Sequence, residues 1–135
     1  MKPLCLMATL ALLTTPVFAE GDAAKGGKDF TRCKACHSII APDGTAVQKG
    51  GKTAPNLFGV IGRPVASYAD FKYGASMLAA GAKGLIWDEP MLAAYVTDPS
   101  AWLKSETGDD KAVAKMTFKM ATGGEDIAAY LASVK

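Results

Sequence analysis

Histidine is almost absent from this chain, which has one histidine and three cysteines among 135 residues. It also lacks a large excess of either charge, because 15 lysines and arginines face 13 aspartates and glutamates. Such a balance lacks the basic surplus of nucleic-acid-binding proteins, so we expect no nucleic-acid partner. The length suits one domain, the sequence has no internal repeat, and no segment alternates clearly enough to predict a β-strand.

The longest apolar run lies at the N-terminus. Lys2 precedes an apolar run over residues 4–13 that includes Cys5, and Ala19 ends a stretch typical of a cleavage site. This pattern predicts a secretory signal peptide over residues 1–19 and one domain over residues 20–135. A membrane anchor is the alternative, but the run is shorter than the roughly 20 residues that cross a bilayer. We therefore expect export, without stable membrane insertion, to a compartment that oxidises free cysteine pairs.

The first and last of four predicted helices are expected to cross. The first begins at the N-cap Asp22, and its glycines Gly26 and Gly27 indicate that another backbone passes close by. The expected partner is the last helix, for which Thr122 and Glu125 form a predicted capping box. Its apolar stripe consists of Ile127, Tyr130, Leu131 and Val134.

Two shorter helices are predicted between these two. One covers residues 74–80, and the other begins after Asp88 and carries Pro90 in its first turn. A single further turn, carrying Trp102, is predicted after the second of them.

Two long segments, 41–73 and 105–121, are predicted loops. The first is rich in glycine and proline, and the second lacks periodicity. Loops of that length in a small domain need something to wrap around. We therefore expect an all-α fold in which a large ligand supplies part of the core.

Most of the thiol chemistry and the only imidazole lie in residues 33–37, Cys-Lys-Ala-Cys-His. A thioredoxin-like disulfide would need a preceding strand, and a zinc site would need ligands that residues 20–135 do not supply. A structural disulfide would leave His37 without a role. The remaining chemistry is covalent haem c attachment, in which each thiol adds to one vinyl group and the next residue ligates iron. We predict thioethers at Cys33 and Cys36 and an axial ligand at His37.

The second axial ligand is expected to be a methionine, because no second histidine exists. Met77 and Met91 lie in predicted helices, where methionine commonly fills the core. Met116 and Met120 lie in the loop before the last helix, from which either one is a candidate for the opposite face of the haem.

Five segments resemble the class I cytochromes c, and most closely the cytochrome c2 group of alphaproteobacteria. They are GDAAKGGKDFTRCKACH, GGKTAPNLFGVIGR, LIWDEPMLAAYVTDP, AKMTFKM and GGEDIAAYLASV, and they cover nearly all of residues 20–135. The resemblance implies terminal helices that cross and loops wrapped around one covalently bound haem. It also selects Met116 as the axial iron ligand, because the family's methionine lies in a Lys-Met-x-Phe context.

The resemblance implies further roles around the haem. The Pro55 carbonyl is expected to accept the Nδ1 proton of His37. Two departures from the family pattern are Ala54, which replaces a glycine, and Ala114, which replaces a threonine whose hydroxyl would lie near a propionate. Residues expected near the propionates are Arg63, Tyr73 and Trp87, and Tyr95 is expected near the methionine sulfur.

The function implied by the resemblance is one-electron transport in the periplasm by a monomer that is not an enzyme. Its donor would be a cytochrome bc complex, and its acceptor a photosynthetic reaction centre or a terminal oxidase such as cytochrome oxidase. The alternative is a monohaem enzyme or gas sensor with a labile sixth ligand.

A basic docking face is also expected, because six lysines fall in segments that this fold gathers near the haem edge. They are Lys34, Lys49, Lys52, Lys111, Lys115 and Lys119, whereas the acids Asp88, Glu89, Asp98, Glu125 and Asp126 are expected elsewhere. A solvated scatter of lysines is the alternative.

Overall fold

The computed structural model describes residues 21–135, so the predicted signal peptide and its cleavage site lie outside the described residues. Five helices and one small sheet make up the regular structure of this part. The helices are α1 (Ala23–Asp29), α2 (Ala75–Gly81), α3 (Glu89–Thr97), α4 (Pro99–Thr107) and α5 (Gly124–Ser133), and a 3₁₀ turn, Phe30–Arg32, follows α1. Within residues 21–135, no helix is both long and apolar enough to cross a membrane.

Three of these helices begin at an aspartate whose carboxylate accepts a hydrogen bond from the first turn. Asp22 accepts from the Lys25 amide at 3.0 Å, and Asp88 accepts from the Met91 amide at 2.8 Å. Both N-caps agree with the sequence prediction. Asp98 caps α4 in the same way, through the Ala101 amide at 3.0 Å.

Helix α4 is longer than the single turn that the sequence predicted. It covers nine residues, with Pro99 at its start and Gly108 in the left-handed conformation after its end. Trp102 and Leu103 are buried in the core, so packing stabilises a helix whose own periodicity is weak.

The start of α5 also differs from the prediction. Gly123, with φ of +86°, is the N-cap, and no side chain caps this helix. The prediction of a capping box at Thr122 and Glu125 is therefore wrong. A glycine adopts this left-handed backbone easily, and the chain turns into α5 there.

A short sheet is present where the sequence predicted none. Strand β1 (Ile39–Ile40) pairs antiparallel with β2 (Ala46–Gln48). Asn56 extends this pairing, because its amide group donates to the Ile40 carbonyl at 2.7 Å and accepts from the Ile40 amide at 3.0 Å. The loop after β2 is thereby fixed against β1.

The crossing of α1 and α5 agrees with the prediction. A Cβ atom at Gly26 would lie 1.9 Å from the Asp126 carbonyl oxygen, and one at Gly27 would lie 3.2 Å from the Tyr130 ring. Only glycine at the first position permits this approach of the two backbones. The Phe30 and Tyr130 rings pack beside the crossing with centroids 5.8 Å apart.

The core lies where α5 packs against α1 and α3. Trp102 joins it to α4 through an aromatic cluster with Trp87 and Tyr95, with ring centroids 5.2–5.4 Å apart. The side chains that are less than 2% exposed include Phe30, Leu103, Met120, Ile127 and Leu131.

Candidate cofactor site

A cavity of about 520 Å³ lies between the turn after α1, the loop over residues 53–64, helices α2, α3 and α5, and the segment 113–118. This volume falls within the range of roughly 300–1,000 Å³ that cofactor and ligand pockets occupy. Its lining includes all four predicted site residues, Cys33, Cys36, His37 and Met116. The fold therefore brings them together from two distant segments.

The two cysteines and the histidine share one tight turn. The Cys36 and His37 amides both donate to the Cys33 carbonyl, at 3.2 and 2.9 Å. Cys33 and Cys36 form no disulfide with each other. Among residues 21–135, no three histidine, cysteine or acidic side chains converge on a common point, so the zinc alternative has no ligand set there.

The ring of His37 is oriented by the Pro55 carbonyl, which lies 2.7 Å from Nδ1. A carbonyl only accepts, so Nδ1 carries the proton and Nε2 keeps its lone pair. Burial lowers the pKa of His37, and the bond to Pro55 opposes this shift only partly. The imidazole is therefore neutral at neutral pH, which is the form that binds a metal.

A glycine pair supports this turn from behind, a role that the sequence pattern did not indicate. A Cβ atom would lie 1.9 Å from the His37 carbonyl oxygen at Gly50 and 2.4 Å from the Ala35 carbonyl oxygen at Gly51. The Gly51 amide also donates to the Lys34 carbonyl at 2.8 Å. Two adjacent glycines in the sequence suggest a close contact with another main chain. The sequence does not indicate which main chain that is.

The four methionines of residues 21–135 occupy different environments. Met116 lines the cavity and is half-buried. Met120 is 1% exposed, packs in the core and does not line the cavity. Met77, expected as core filler, also lines the cavity, and Met91 lines a separate groove. Of the two loop candidates, only Met116 faces the same space as His37.

The cavity lining is mostly apolar, and its polar groups include three cations, Arg32, Arg63 and Lys115. Arg63 donates to the Asn56 carbonyl at 3.0 Å, and burial lowers the pKa of its guanidinium. No carboxylate of residues 21–135 pairs with it. A half-buried cation without an anionic partner fits a large, mainly apolar ligand that carries an acidic group, and haem is such a ligand.

The aromatic residues expected near the haem also line the cavity. Tyr73 accepts a hydrogen bond from the Tyr68 amide at 3.3 Å. Burial raises the pKa of Tyr95 to about 12, with a smaller contribution from Tyr73. Its hydroxyl therefore remains a protonated donor at neutral pH. Trp87 stacks on Trp102 and closes this side of the cavity.

A contact that the sequence did not indicate joins the cysteine turn to the methionine segment. The Arg32 guanidinium lies 5.3 Å from the centroid of the Phe118 ring, within range of a cation–π interaction. Both residues line the cavity. They come from opposite ends of the domain, so no local pattern indicates the pairing.

Several acidic side chains lie together in one groove of the surface. The acids Asp88, Glu89, Asp98 and Glu125 line a second groove, beside α3 and α4, that shares no lining residue with the first cavity. Five of the six predicted docking lysines are exposed, and Lys34 is half-buried. Two of the six have internal partners, because Lys119 pairs with Asp98 at 2.6 Å and Lys115 donates to the Lys72 carbonyl at 2.7 Å.

Comparison with known proteins gives close relatives along nearly the whole chain. No protein-family model matches it. The chain is 57% identical to cytochrome c2 of Rhodobacter capsulatus, across 99% of this chain and 98% of that protein. It is 50% identical to cytochrome c-551 of Roseobacter denitrificans, across 98% and 95% of the two chains.

Solved structures of cytochrome c2 also match this chain. The structure of Rhodobacter capsulatus cytochrome c2 matches with a TM-score of 0.83 and 60% identity, across 84% of this chain and 98% of that one. Paracoccus denitrificans cytochrome c2 matches with a TM-score of 0.82 and 55% identity, across 84% and 95% of the chains. The described part of the chain therefore shares the fold of these proteins.

Proposed function

The chain belongs to the cytochrome c2 group of the class I cytochromes c, and on that premise we propose that it carries single electrons in the periplasm from a cytochrome bc complex to a photosynthetic reaction centre or a terminal oxidase. Its family makes it an electron carrier with one covalently attached haem c, and not an enzyme. The fold and cofactor predictions are thereby confirmed, whereas the ligands and partners remain proposals.

The observation that carries the site assignment is that His37 and Met116 line one cavity together with Cys33 and Cys36, which form no disulfide. When bound, haem supplies a reversible one-electron change between ferrous and ferric iron. Cys33 and Cys36 would hold it through thioether bonds. His37, through Nε2, and Met116, through its sulfur, would bind the iron.

These residues also explain why a carrier is favoured over an enzyme or gas sensor. Two protein ligands would leave no axial position for oxygen or peroxide. The neutral thioether of Met116 would favour ferrous iron and so raise the reduction potential relative to a second imidazole. The Pro55 carbonyl holds the His37 ring in place, and the cavity is lined mainly by apolar groups.

Docking to acidic partners is proposed through the exposed lysines near the cavity. Lys49 and Lys52 flank the glycine pair behind the cysteine turn, and Lys111 precedes the methionine segment. The acidic groove beside α3 and α4 gives the molecule a charge separation that would orient it as it approaches a partner. Such steering speeds association without requiring a large interface.

The proposed ligand is tested with Met116→Ala, using Met120→Leu as the matched control. We expect the ferric protein to lose the weak absorption band at the red end of the spectrum, which arises from an iron–thioether bond. The reduction potential should fall, and the ferrous protein should gain CO binding, because the sixth position is open. Met120→Leu keeps the buried volume and should preserve the band and the potential.

Two results would contradict the proposal. An unchanged band and potential in Met116→Ala would show that another group is the ligand. Ready CO binding by the unaltered protein would instead support the gas-sensor alternative.

A further inference from the structure

The segment that carries Met116 is not held by regular structure. Among residues 21–135, the main chain of residues 113–119 forms no hydrogen bond with another main-chain group. The last such bonds on either side are those of the Ala112 amide to the Asp109 carbonyl and of the Met120 amide to the Val96 carbonyl, both 2.9 Å. Met116 lies in the middle of this span, so its position depends on side-chain contacts.

Two serine hydroxyls hold the start of the segment. The Val113 amide donates to Ser76 Oγ, and the Ala114 amide donates to Ser100 Oγ, each at 3.1 Å. The two serines belong to different helices, because Ser76 is the second residue of α2 and Ser100 the second residue of α4. Helices α2 and α4 pack against each other. Two successive amides are therefore fastened to one rigid pair of helices.

The next residue is held by a third contact of a different kind. Lys115 donates through Nζ to the Lys72 carbonyl at 2.7 Å and lies 5.7 Å from the centroid of the Phe71 ring. This side chain is long and exposed, so it holds the main chain less tightly than the short serine side chains do. The serine contacts are thus the only direct hydrogen bonds from described side chains to the main chain of residues 113–116.

We propose that Ser76 and Ser100 are positioning residues that keep Met116 over the cavity. The inference rests on the proposed role of Met116 as axial ligand. In a segment without main-chain pairing, loss of either hydroxyl raises the population in which Met116 has moved away. An added ligand such as imidazole binds only to that open population, so its apparent affinity reports the population directly.

The experiment is an imidazole titration of the ferric holoprotein, followed by its absorption spectrum. One ordinary hydrogen bond corresponds to roughly a five-fold change in an equilibrium constant. We expect the apparent imidazole affinity to rise roughly three- to five-fold in Ser76→Ala and in Ser100→Ala, and by about ten-fold or more in the double variant. Ser76→Thr and Ser100→Thr keep an acceptor hydroxyl and should bring the affinity back toward that of the unaltered protein.

The matched control is Ser133→Ala. Ser133 also forms a single hydroxyl-to-main-chain bond, to the Tyr130 carbonyl at 2.6 Å, but it lies in α5. Its loss should leave imidazole affinity unchanged. Urea midpoints measured on all variants separate a local opening of the methionine segment from a loss of global stability. The midpoints of Ser76→Ala and Ser100→Ala should resemble that of Ser133→Ala.

Two results would overturn the inference. One is an unchanged affinity in both single variants, and the other is an equal rise in Ser133→Ala. Failure of the proposed function looks different, because Met116→Ala would then leave the spectrum unchanged. A normal loss of the band in Met116→Ala with unaffected serine variants removes only the positioning role.

Discussion

Asp126 joins the two ends of the domain through its carboxylate. It lies in the first turn of α5, accepts a hydrogen bond from the Asp22 amide at 2.8 Å and forms an ion pair with Lys25 of α1. The pKa of Asp126 is lowered, chiefly by the hydrogen bond from Lys25 and then by that from the Asp22 amide. A negative charge in the first turn is also favourable for α5 itself.

This shift predicts how stability depends on pH. The pKa of this carboxyl is about 3.9 in the unfolded chain, and it is lower in the folded protein. The contribution of Asp126 is therefore fully present above that unfolded value and is lost as pH falls through the folded value. Lys25, whose pKa is raised by the same pair, loses its contribution as pH rises through its folded value. We expect Asp126→Asn to decrease the unfolding free energy at neutral pH and to weaken its decline in acid, as measured by urea unfolding from pH 2 to 7.

Lys25→Gln tests the other residue of the same ion pair. Lys25→Gln should reproduce part of the decrease in unfolding free energy at neutral pH. The double variant Lys25→Gln/Asp126→Asn should lose less unfolding free energy than the sum of the two single losses. Parallel stability curves for Asp126→Asn and the unaltered protein would contradict the assignment.

At the scale of the elements, the crossing of α1 and α5 is limited by backbone contact. Gly26 meets the Asp126 carbonyl, and Gly27 meets only the side of the Tyr130 ring. The Tyr130 hydroxyl also accepts a hydrogen bond from Gln48 at 3.0 Å, which links this crossing to β2. The two neighbouring glycines therefore differ sharply in what an added methyl group would displace.

Gly26→Ala and Gly27→Ala form a matched pair. We expect Gly26→Ala to reduce the unfolding free energy by about 3 kcal/mol or more, because neither helix backbone yields to a contact that short. In Gly27→Ala, the gain in helix propensity of up to about 1 kcal/mol offsets a slight displacement of the ring, so the net change should be small. Guanidinium unfolding measures both, and equal losses would show that the backbone contact does not limit the crossing.

At the scale of the whole molecule, charge is separated although the total is nearly balanced. Acids gather in the groove beside α3 and α4, whereas Lys49 and Lys52 are exposed in the loop after β2. We expect this distribution to give a directional field that a formal charge of +2 does not indicate.

The prediction concerns association with a redox partner. For the double variant Lys49→Glu/Lys52→Glu, we expect the second-order rate with an isolated cytochrome bc complex to fall roughly ten-fold or more at low ionic strength. The difference should nearly vanish at about 1 M salt, where the Debye length is about 3 Å. Stopped-flow measurement over a range of salt concentrations checks both parts.

The control for this test changes the same amount of charge elsewhere. Lys83 and Lys104 are exposed beside α2 and in α4. Lys83→Glu/Lys104→Glu should slow the reaction much less than the first pair. Equal slowing would mean that net charge, and not a docking face, controls the rate.

Sequence patterns determined the features that depend on near neighbours. The Asp22 and Asp88 caps need only an amide three residues away, and the stripe of α5 needs only the helical period. The cysteines and the histidine lie within five residues, so chain connectivity alone gathers the proposed attachment site. The resemblance then supplied what no local pattern contained, namely the choice of Met116 and the partner of His37.

Tertiary structure decided the features that depend on distant contacts. Helix α4 extends to nine residues because Trp102 and Leu103 are buried, and β1 exists because Asn56 and β2 lie beside it. Ser76 and Ser100 bear no motif, yet packing of α2 on α4 places both hydroxyls against the segment of the proposed methionine ligand. A side chain's partner across the fold depends on the path of the whole chain, and a short stretch of sequence does not contain that path.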